Sequence, residues 1–233
     1  MRAVLFLFIF FFVSYANCFS YELPLSGQAL VNLVEGDVLL CVKGTSRNLK
    51  AGDRIMAPAR VKLKDNSRLE LVVPDGSILR FASNTEFKLV KAVANEGKRD
   101  IQVDVALGDC WASVKKLLGE DSSFQVNSPT AVAGVAGTKY RVEVTLNKST
   151  SYRVYEGKIR VGYRPVSEKY VPGKKFVMPK RVQGPGRVAG PKRVSLQEWM
   201  FIVQRGYQFN ITPQGRFNRP EPFDMQKDRQ NSW

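Results

Sequence analysis

The sequence predicts an all-β fold, either a short β-solenoid or a sandwich of stacked hairpins, with one short C-terminal helix. Two observations carry that reading. Apolar and charged residues alternate over runs of four to six residues, the period of a half-buried strand, and Gly-Asp or Asp-Gly pairs punctuate the runs, so connections are short and local. The bulk numbers agree: 233 residues, 44% hydrophobic and 24% charged, describe a globular chain of one or two units.

The elements follow in order. Val38-Leu39-Leu40-Cys41-Val42 reads as a buried strand. Arg68-Leu69-Glu70-Leu71-Val72-Val73 alternates and breaks at Pro74-Asp75-Gly76-Ser77, and Ile78-Leu79-Arg80-Phe81 then breaks at Ser83-Asn84, which is hairpin punctuation. Glu86-Phe87-Lys88-Leu89-Val90, Ile101-Gln102-Val103-Asp104-Val105, Tyr140-Arg141-Val142-Glu143-Val144 and Tyr152-Arg153-Val154-Tyr155 each have one apolar and one charged face. Turn pairs fall between these runs at Gly36-Asp37, Gly52-Asp53, Asp75-Gly76, Gly108-Asp109 and Glu156-Gly157. The β unit is predicted over 27–165. Three of its turns share an apolar, Gly-Asp, apolar pattern, which one turn type used three times explains, because Gly supplies positive φ and Asp caps its own backbone.

The most distinctive stretch is Asn127 to Tyr140. From Ser128 to Thr138 nothing exceeds Val or Pro in size, so another backbone can approach closely, and Gly134 and Gly137 permit a tight bend. It is a packing corner; its glycine spacing fits neither nucleotide-binding motif. Trp111, Pro129, Thr130, Gly134, Gly137 and Thr138 are the residues expected to hold the fold.

In order and spacing, Leu49 to Ile55, Pro74 to Phe81 with Asn84-Thr85-Glu86-Phe87, Gly108 to Val114, and the Ser128 to Tyr140 corner resemble the FecR domain family over about residues 30 to 165. The Pro-Thr-Ala-Val-Ala-Gly-Val-x-Gly-Thr string is the specific part. The resemblance implies a β-rich, solenoid-like lobe that relays a signal from an outer-membrane receptor. Ala136 stands where the family usually has Arg, so contacts that depend on that guanidinium are absent. The regulator proper also carries a sigma-factor-binding helical domain before its membrane span. Here only Met1 and Arg2 precede the apolar run, so the expected relatives are exported proteins with the β domain alone.

Met1-Arg2 followed by the apolar run Ala3 to Val13 and small residues at Ser14 and Ala16 reads as a signal peptide over 1–16, cut after Ala16 or Cys18. The run is too short to span a bilayer, which takes about 20 residues. Residence is therefore periplasmic or secreted, with no transmembrane span after cleavage. Export leaves two readings of Cys41 and Cys110: a disulfide, or two small buried apolar residues.

Thirty-six Lys and Arg against 21 Asp and Glu give a net +15, and residues 164–233 hold 14 of the basic residues against 5 acidic ones. Residues 166–193 form a basic Pro/Gly-rich linker, in which Lys174, Lys175, Lys180, Arg181, Lys192 and Arg193 are the candidates for contact with an anionic polymer. Ser195 and Glu198 make a capping box, Leu196, Trp199, Met200 and Val203 follow a helical period, and Gly206 ends it, so 194–217 is expected as a docked helix with a strand over 207–211. Residues 218–233 are expected to fray.

The chain has no histidine, which removes imidazole bases, shuttles and metal ligands at once. The carboxylates Asp37, Asp53, Asp75 and Asp109 are left as candidates for glycoside cleavage; all four adjoin Gly in turns, which explains them without catalysis. No enzyme, metal or cofactor is expected. Tyr152-Arg153-Val154-Tyr155 superficially suits nucleic acid, but an exported chain argues against that partner. The expected role is a non-enzymatic cell-envelope binding module that senses or scaffolds through an envelope protein or ligand; the alternative is anionic envelope-polymer binding through the basic segment.

Overall fold

A computed structural model describes residues 23–42, 44–95, 98–116, 122–164 and 200–230. The expected signal peptide and basic linker lie outside the described residues. The first strands are β1 (Gln28–Glu35), β2 (Val38–Val42), β3 (Thr45–Asn48), β4 (Arg54–Met56), β5 (Ala59–Leu63), β6 (Arg68–Val72), β7 (Ile78–Phe81) and β8 (Glu86–Asn95). The long β9 (Lys98–Ser113) precedes β10 (Ser123–Asn127), β11 (Ala131–Val135), β12 (Lys139–Val144), β13 (Thr150–Glu156) and β14 (Lys158–Tyr163). The chain closes with β15 (Met200–Gln204), β16 (Tyr207–Ile211), β17 (Glu221–Pro222) and α1 (Met225–Gln230). The all-β expectation holds.

The strands form two sheets that share β9. Sheet A runs β4-β1-β6-β7-β9-β12-β13-β16-β17. Sheet B runs β3-β2-β5-β8-β9-β10-β11-β14-β15. The first part of β9, Lys98 to Leu107, pairs with β8 in sheet B, and Gly108 to Ser113 pairs with β12 in sheet A. Among the described residues every pairing is antiparallel except β9 with β10. The inward residues of both sheets make one apolar cluster. At its centre Phe81 of sheet A stacks on Phe87 of sheet B with ring centroids 3.7 Å apart, each fully buried ring contributing on the order of 2–3 kcal/mol.

At three places where the chain passes between sheets, a glycine on one segment meets a hydroxyl on the other. Gly108 has φ +90, and a Cβ there would lie 2.4 Å from Thr85 Oγ1. That hydroxyl accepts from Asp109 N at 3.0 Å and donates to Asp109 O at 3.3 Å. The same arrangement recurs at Gly36, where Ser67 Oγ accepts from Asp37 N at 2.9 Å and donates to Asp37 O at 3.1 Å. At Gly157 it is Thr138 Oγ1 that donates to Lys158 O at 2.9 Å. Two of the three Gly-Asp pairs therefore share one corner. The third, at Gly52, is an open turn: a Cβ there would meet nothing within 4 Å.

The small-residue stretch is a corner of sheet B leading into sheet A. Gly134 lies in β11 between Gln125 and Arg160, Gly137 turns the chain with φ +76, and Thr138 starts the passage to β12. Beside Pro129, Ser128 and Thr130 are buried against Thr150 of sheet A, with Thr130 Oγ1 to Thr150 Oγ1 at 2.6 Å and Thr150 Oγ1 donating to Ser128 Oγ at 2.8 Å. This hydroxyl cluster pins the two sheets together. At another edge the buried ion pair Arg99–Asp75 does the same, joining β9 to the turn between β6 and β7.

Several expectations change. Met200–Gln204 is strand, not helix: Val203 is buried, Phe201 packs on Phe209 and Phe217 at 4.7 and 4.6 Å, and β15 pairs with β14. The capping box at Ser195 and Glu198 lies outside the described residues. Gly206 is the turn into β16, which occupies the strand expected over 207–211. The short helix lies later, at Met225–Gln230, in the tail expected to fray. Asp224 caps it, accepting from Gln226 N at 2.9 Å and Lys227 N at 3.1 Å. Cys41 and Cys110 are free thiols. Cys41 alternates with the inward Val38 and Leu40 and so lies on the outer face of sheet B, whereas Cys110 of sheet A is fully buried in the core on the other side of that sheet.

Substituting the crossing glycine tests the corner. Gly52→Ala is expected to cost about 1–2 kcal/mol of backbone strain, and Gly108→Ala about 1–3 kcal/mol more from crowding against Thr85. Urea denaturation of both variants measures the difference, and equal losses would show that Thr85 gives way freely.

Candidate functional site

The outer face of sheet A carries one continuous cross-strand row. Registers place Glu70 beside Arg80, Arg80 beside Trp111, Trp111 beside Arg141, Arg141 beside Arg153, Arg153 beside Gln208, and Gln208 beside Glu221. Strand alternation turns all of them away from the core. Arg80 Nε donates to Glu70 Oε2 at 2.6 Å, and Glu70 Oε1 also accepts from Asn32 Nδ2 at 2.6 Å. At the other end Gln208 Nε2 donates to Glu221 Oε1 at 2.9 Å.

The middle of the row is a carboxylate seat. Asp228 of α1 reaches back to the sheet, where its Oδ1 accepts from Arg141 Nη1 at 3.0 Å and lies 3.5 Å from Arg153 Nη1. Its Oδ2 accepts from the Tyr155 hydroxyl. Each arginine has a second acid from the sheet: Arg141 holds Asp109 through Nε and Nη2, and Arg153 donates to Glu143 at 2.9 Å. Burial, with the bond to Asp228, pushes the Tyr155 phenol well above its ordinary value, so it stays a donor. Burial likewise lifts the Asp109 carboxyl, with Arg141 pulling the other way.

Aromatic rings adjoin the seat. Tyr155 stacks on Trp111 at 4.4 Å and takes Phe223 of the tail edge-on at 5.4 Å, with the Arg229 guanidinium 5.5 Å from its centroid. Beyond the tail lies a cavity of about 500 Å³, lined by Ile78, Arg80, Trp111, Ala112, Ser113, Lys139, Tyr155, Glu156 and Arg229. The indole N–H of Trp111 is buried and has no acceptor. Aromatic faces and guanidinium groups together offer stacking and charge-assisted hydrogen bonding.

Trp111, expected as a fold residue, therefore forms part of this groove. The expected polymer contacts Lys174, Lys175, Lys180, Arg181, Lys192 and Arg193 lie outside the described residues. The four turn carboxylates are apart and each is engaged: Asp37 by Lys64, Asp53 by Arg47, Asp75 by Arg99 and Asp109 by Arg141. Arg47 and the Lys50 amide hold Asp53 below the usual carboxylate range. Among the described residues no group of three acids or cysteines is placed to hold a metal. Sequence reasoning missed Arg80, Arg141, Arg153, Tyr155 and Asp228 as a group. Their only signal was the charged face of three alternating runs, and register alone aligns them.

Removing Arg141 leaves Asp109 charged and buried. Arg141→Met is expected to lose about 3–5 kcal/mol at pH 7. Burial already lifts this carboxyl while Arg141 pulls it down, so without the guanidinium it rises further; the variant's added penalty is full above that higher value and vanishes once the acid is neutral in both proteins. The deficit should therefore shrink as the pH falls toward 3.8. Thermal melts of both proteins from pH 7 down to 3.5 check this, and a constant deficit would contradict it.

Residues 59–160 match the family described as FecR protein. Two crystal structures of a Parabacteroides distasonis ATCC 8503 protein, described as a candidate anti-sigma factor, share the fold. One is 13% identical with a TM-score of 0.51 and the other 14% identical with a TM-score of 0.50. Each alignment covers 73% of this chain and 62% of the other, so the chain matches less than two thirds of that protein's length. No curated protein sequence matches the chain.

Proposed function

We propose, from the match of residues 59–160 to the FecR family, that the chain is a non-enzymatic FecR-type regulatory module of the cell envelope, periplasmic or secreted, that senses or scaffolds through protein contacts on the outer face of sheet A. The family is regulatory, and the apolar run Ala3 to Val13 supports export. No helix among the described residues is long and apolar enough to cross a membrane.

The observation that carries the reading is the row from Glu70 to Glu221 with its adjoining cavity. A packed sheet holds the row rigidly, so aromatic and charged groups are presented without being ordered at the moment of binding. The mixture of Trp, Tyr and Arg is also the composition of interface hot spots. The turn carboxylates are all committed to ion pairs, which supports a binding role over a hydrolytic one.

Photo-crosslinking in living cells tests this face. A benzophenone amino acid at Ile78 or Lys139, on the rim of the cavity, should yield a discrete adduct with one envelope protein. The same group at Lys62, on the outer face of sheet B, should not. No adduct from either rim position, or the same adducts from all three, would refute the assignment.

A further inference from the structure

We infer that the Arg141–Arg153–Tyr155 seat and the groove over Trp111 form a docking site for a peptide segment of a partner protein that carries an aromatic side chain and a carboxylate, and that the chain's own C-terminal tail fills part of this site in cis. The inference rests on the sheet A binding reading and names the chemistry of the partner.

The tail itself defines what the seat accepts. Two donors, the Arg141 guanidinium and the Tyr155 phenol, and the nearby charge of Arg153 converge on the single Asp228 carboxylate, a charge-assisted arrangement selective for an anion. Phe223, five residues earlier, places its ring edge against Tyr155. A short segment with an aromatic residue followed about one and a half helical turns later by an acid therefore satisfies the site.

The attachment of the tail is slight. β17 contributes two residues paired to Tyr207 and Gln208, Phe223 N donates to Gly206 O at 3.1 Å, and α1 is six residues long. A six-residue helix has little stability of its own and depends on its side-chain contacts. Most of those contacts are the Asp228 and Phe223 contacts that a competing segment would supply.

The groove extends past what the tail covers. Its lining adds Ile78, Ala112 and Trp111 to the seat, so a segment longer than the tail finds apolar contact there. A partner segment that fills the groove beside Trp111 as well as the seat makes contacts the tail does not, which is what displacement requires.

The probe is a fluorescent peptide of residues 219–230, RPEPFDMQKDRQ, titrated by anisotropy into the full-length chain. An occupied seat weakens apparent binding by the fraction of molecules whose tail is undocked. Full-length Asp228→Ala should therefore bind the peptide at least about tenfold more tightly than wild type. The peptide carrying Asn in place of Asp228 should bind that variant about tenfold more weakly, as should the normal peptide when Arg153→Gln is added. Full-length Phe223→Ala, which loosens the tail but leaves every donor of the seat in place, gives the same gain by an independent route and covers the case in which Asp228→Ala misfolds. Equal binding by wild type and both tail variants, or indifference to the Asn peptide, would overturn the proposal. If crosslinks form at Lys139 while these peptide arms fail, the carboxylate seat is wrong and the sheet A interface stands. A wild-type dimer dissociated by the peptide would identify a second copy of the chain as the occupant and overturn the partner assignment.

Discussion

One strand belongs to both sheets, and the molecule is organised around its crossing. β9 is the fifth of nine strands in each sheet among the described residues. It changes sheet at Gly108, where the backbone has φ +90 and the Thr85 hydroxyl occupies the space a side chain would need. A residue with a Cβ meets two obstacles there, a left-handed backbone and a steric overlap with Thr85. Because the two halves of β9 are covalently one, their neighbours are set relative to each other. The glycine-hydroxyl corners at Gly36 and Gly157 repeat the same solution where β1 feeds β2 and β13 feeds β14. The hydroxyl on the opposing segment adds a bond to a backbone group at the bend.

The crossing also decides what the outer face presents. Past Gly108 the alternation of β9 sends Cys110 and Ala112 into the core and Asp109, Trp111 and Ser113 outward. A slip of one residue would exchange the two sets, placing Trp111 inside and a thiol at the centre of the outer row. The partners of Trp111, Arg80 on one side and Arg141 on the other, depend on the same register. The outer face of sheet A is thus fixed by core packing on its opposite side. The Phe81–Phe87 stack, the Ser128–Thr130–Thr150 hydroxyls and the Arg99–Asp75 pair hold it from within.

The charges on that face are nearly all internally matched. Arg141 and Arg153 each bridge an acid of the sheet and the acid of the tail. A face built this way carries little net field. The same tail that completes the seat also covers Tyr155, so the fold of the last strands and the properties of the face are coupled.

The sequence alone determined the secondary structure of the β unit, since alternation with period two and turn residues at its breaks are local properties. It also marked the Ser128 to Thr138 corner, because a run of small residues has few uses other than close backbone approach. The recurrence of Gly-Asp was visible too, though not that Gly36 and Gly108 turn against a hydroxyl while Gly52 turns in the open; the difference lies in Ser67 and Thr85, distant in sequence. The stretch from Leu196 to Val203 satisfied a helical period, yet Met200–Gln204 became strand because β14 offered an unpaired edge and Phe209 and Phe217 a surface for Phe201. The alignment of Arg80, Trp111, Arg141 and Arg153, and the return of Asp228 to them, belonged to tertiary structure alone. Strand register is set by cross-strand packing of the whole core, and no stretch of sequence contains the strand it will lie beside.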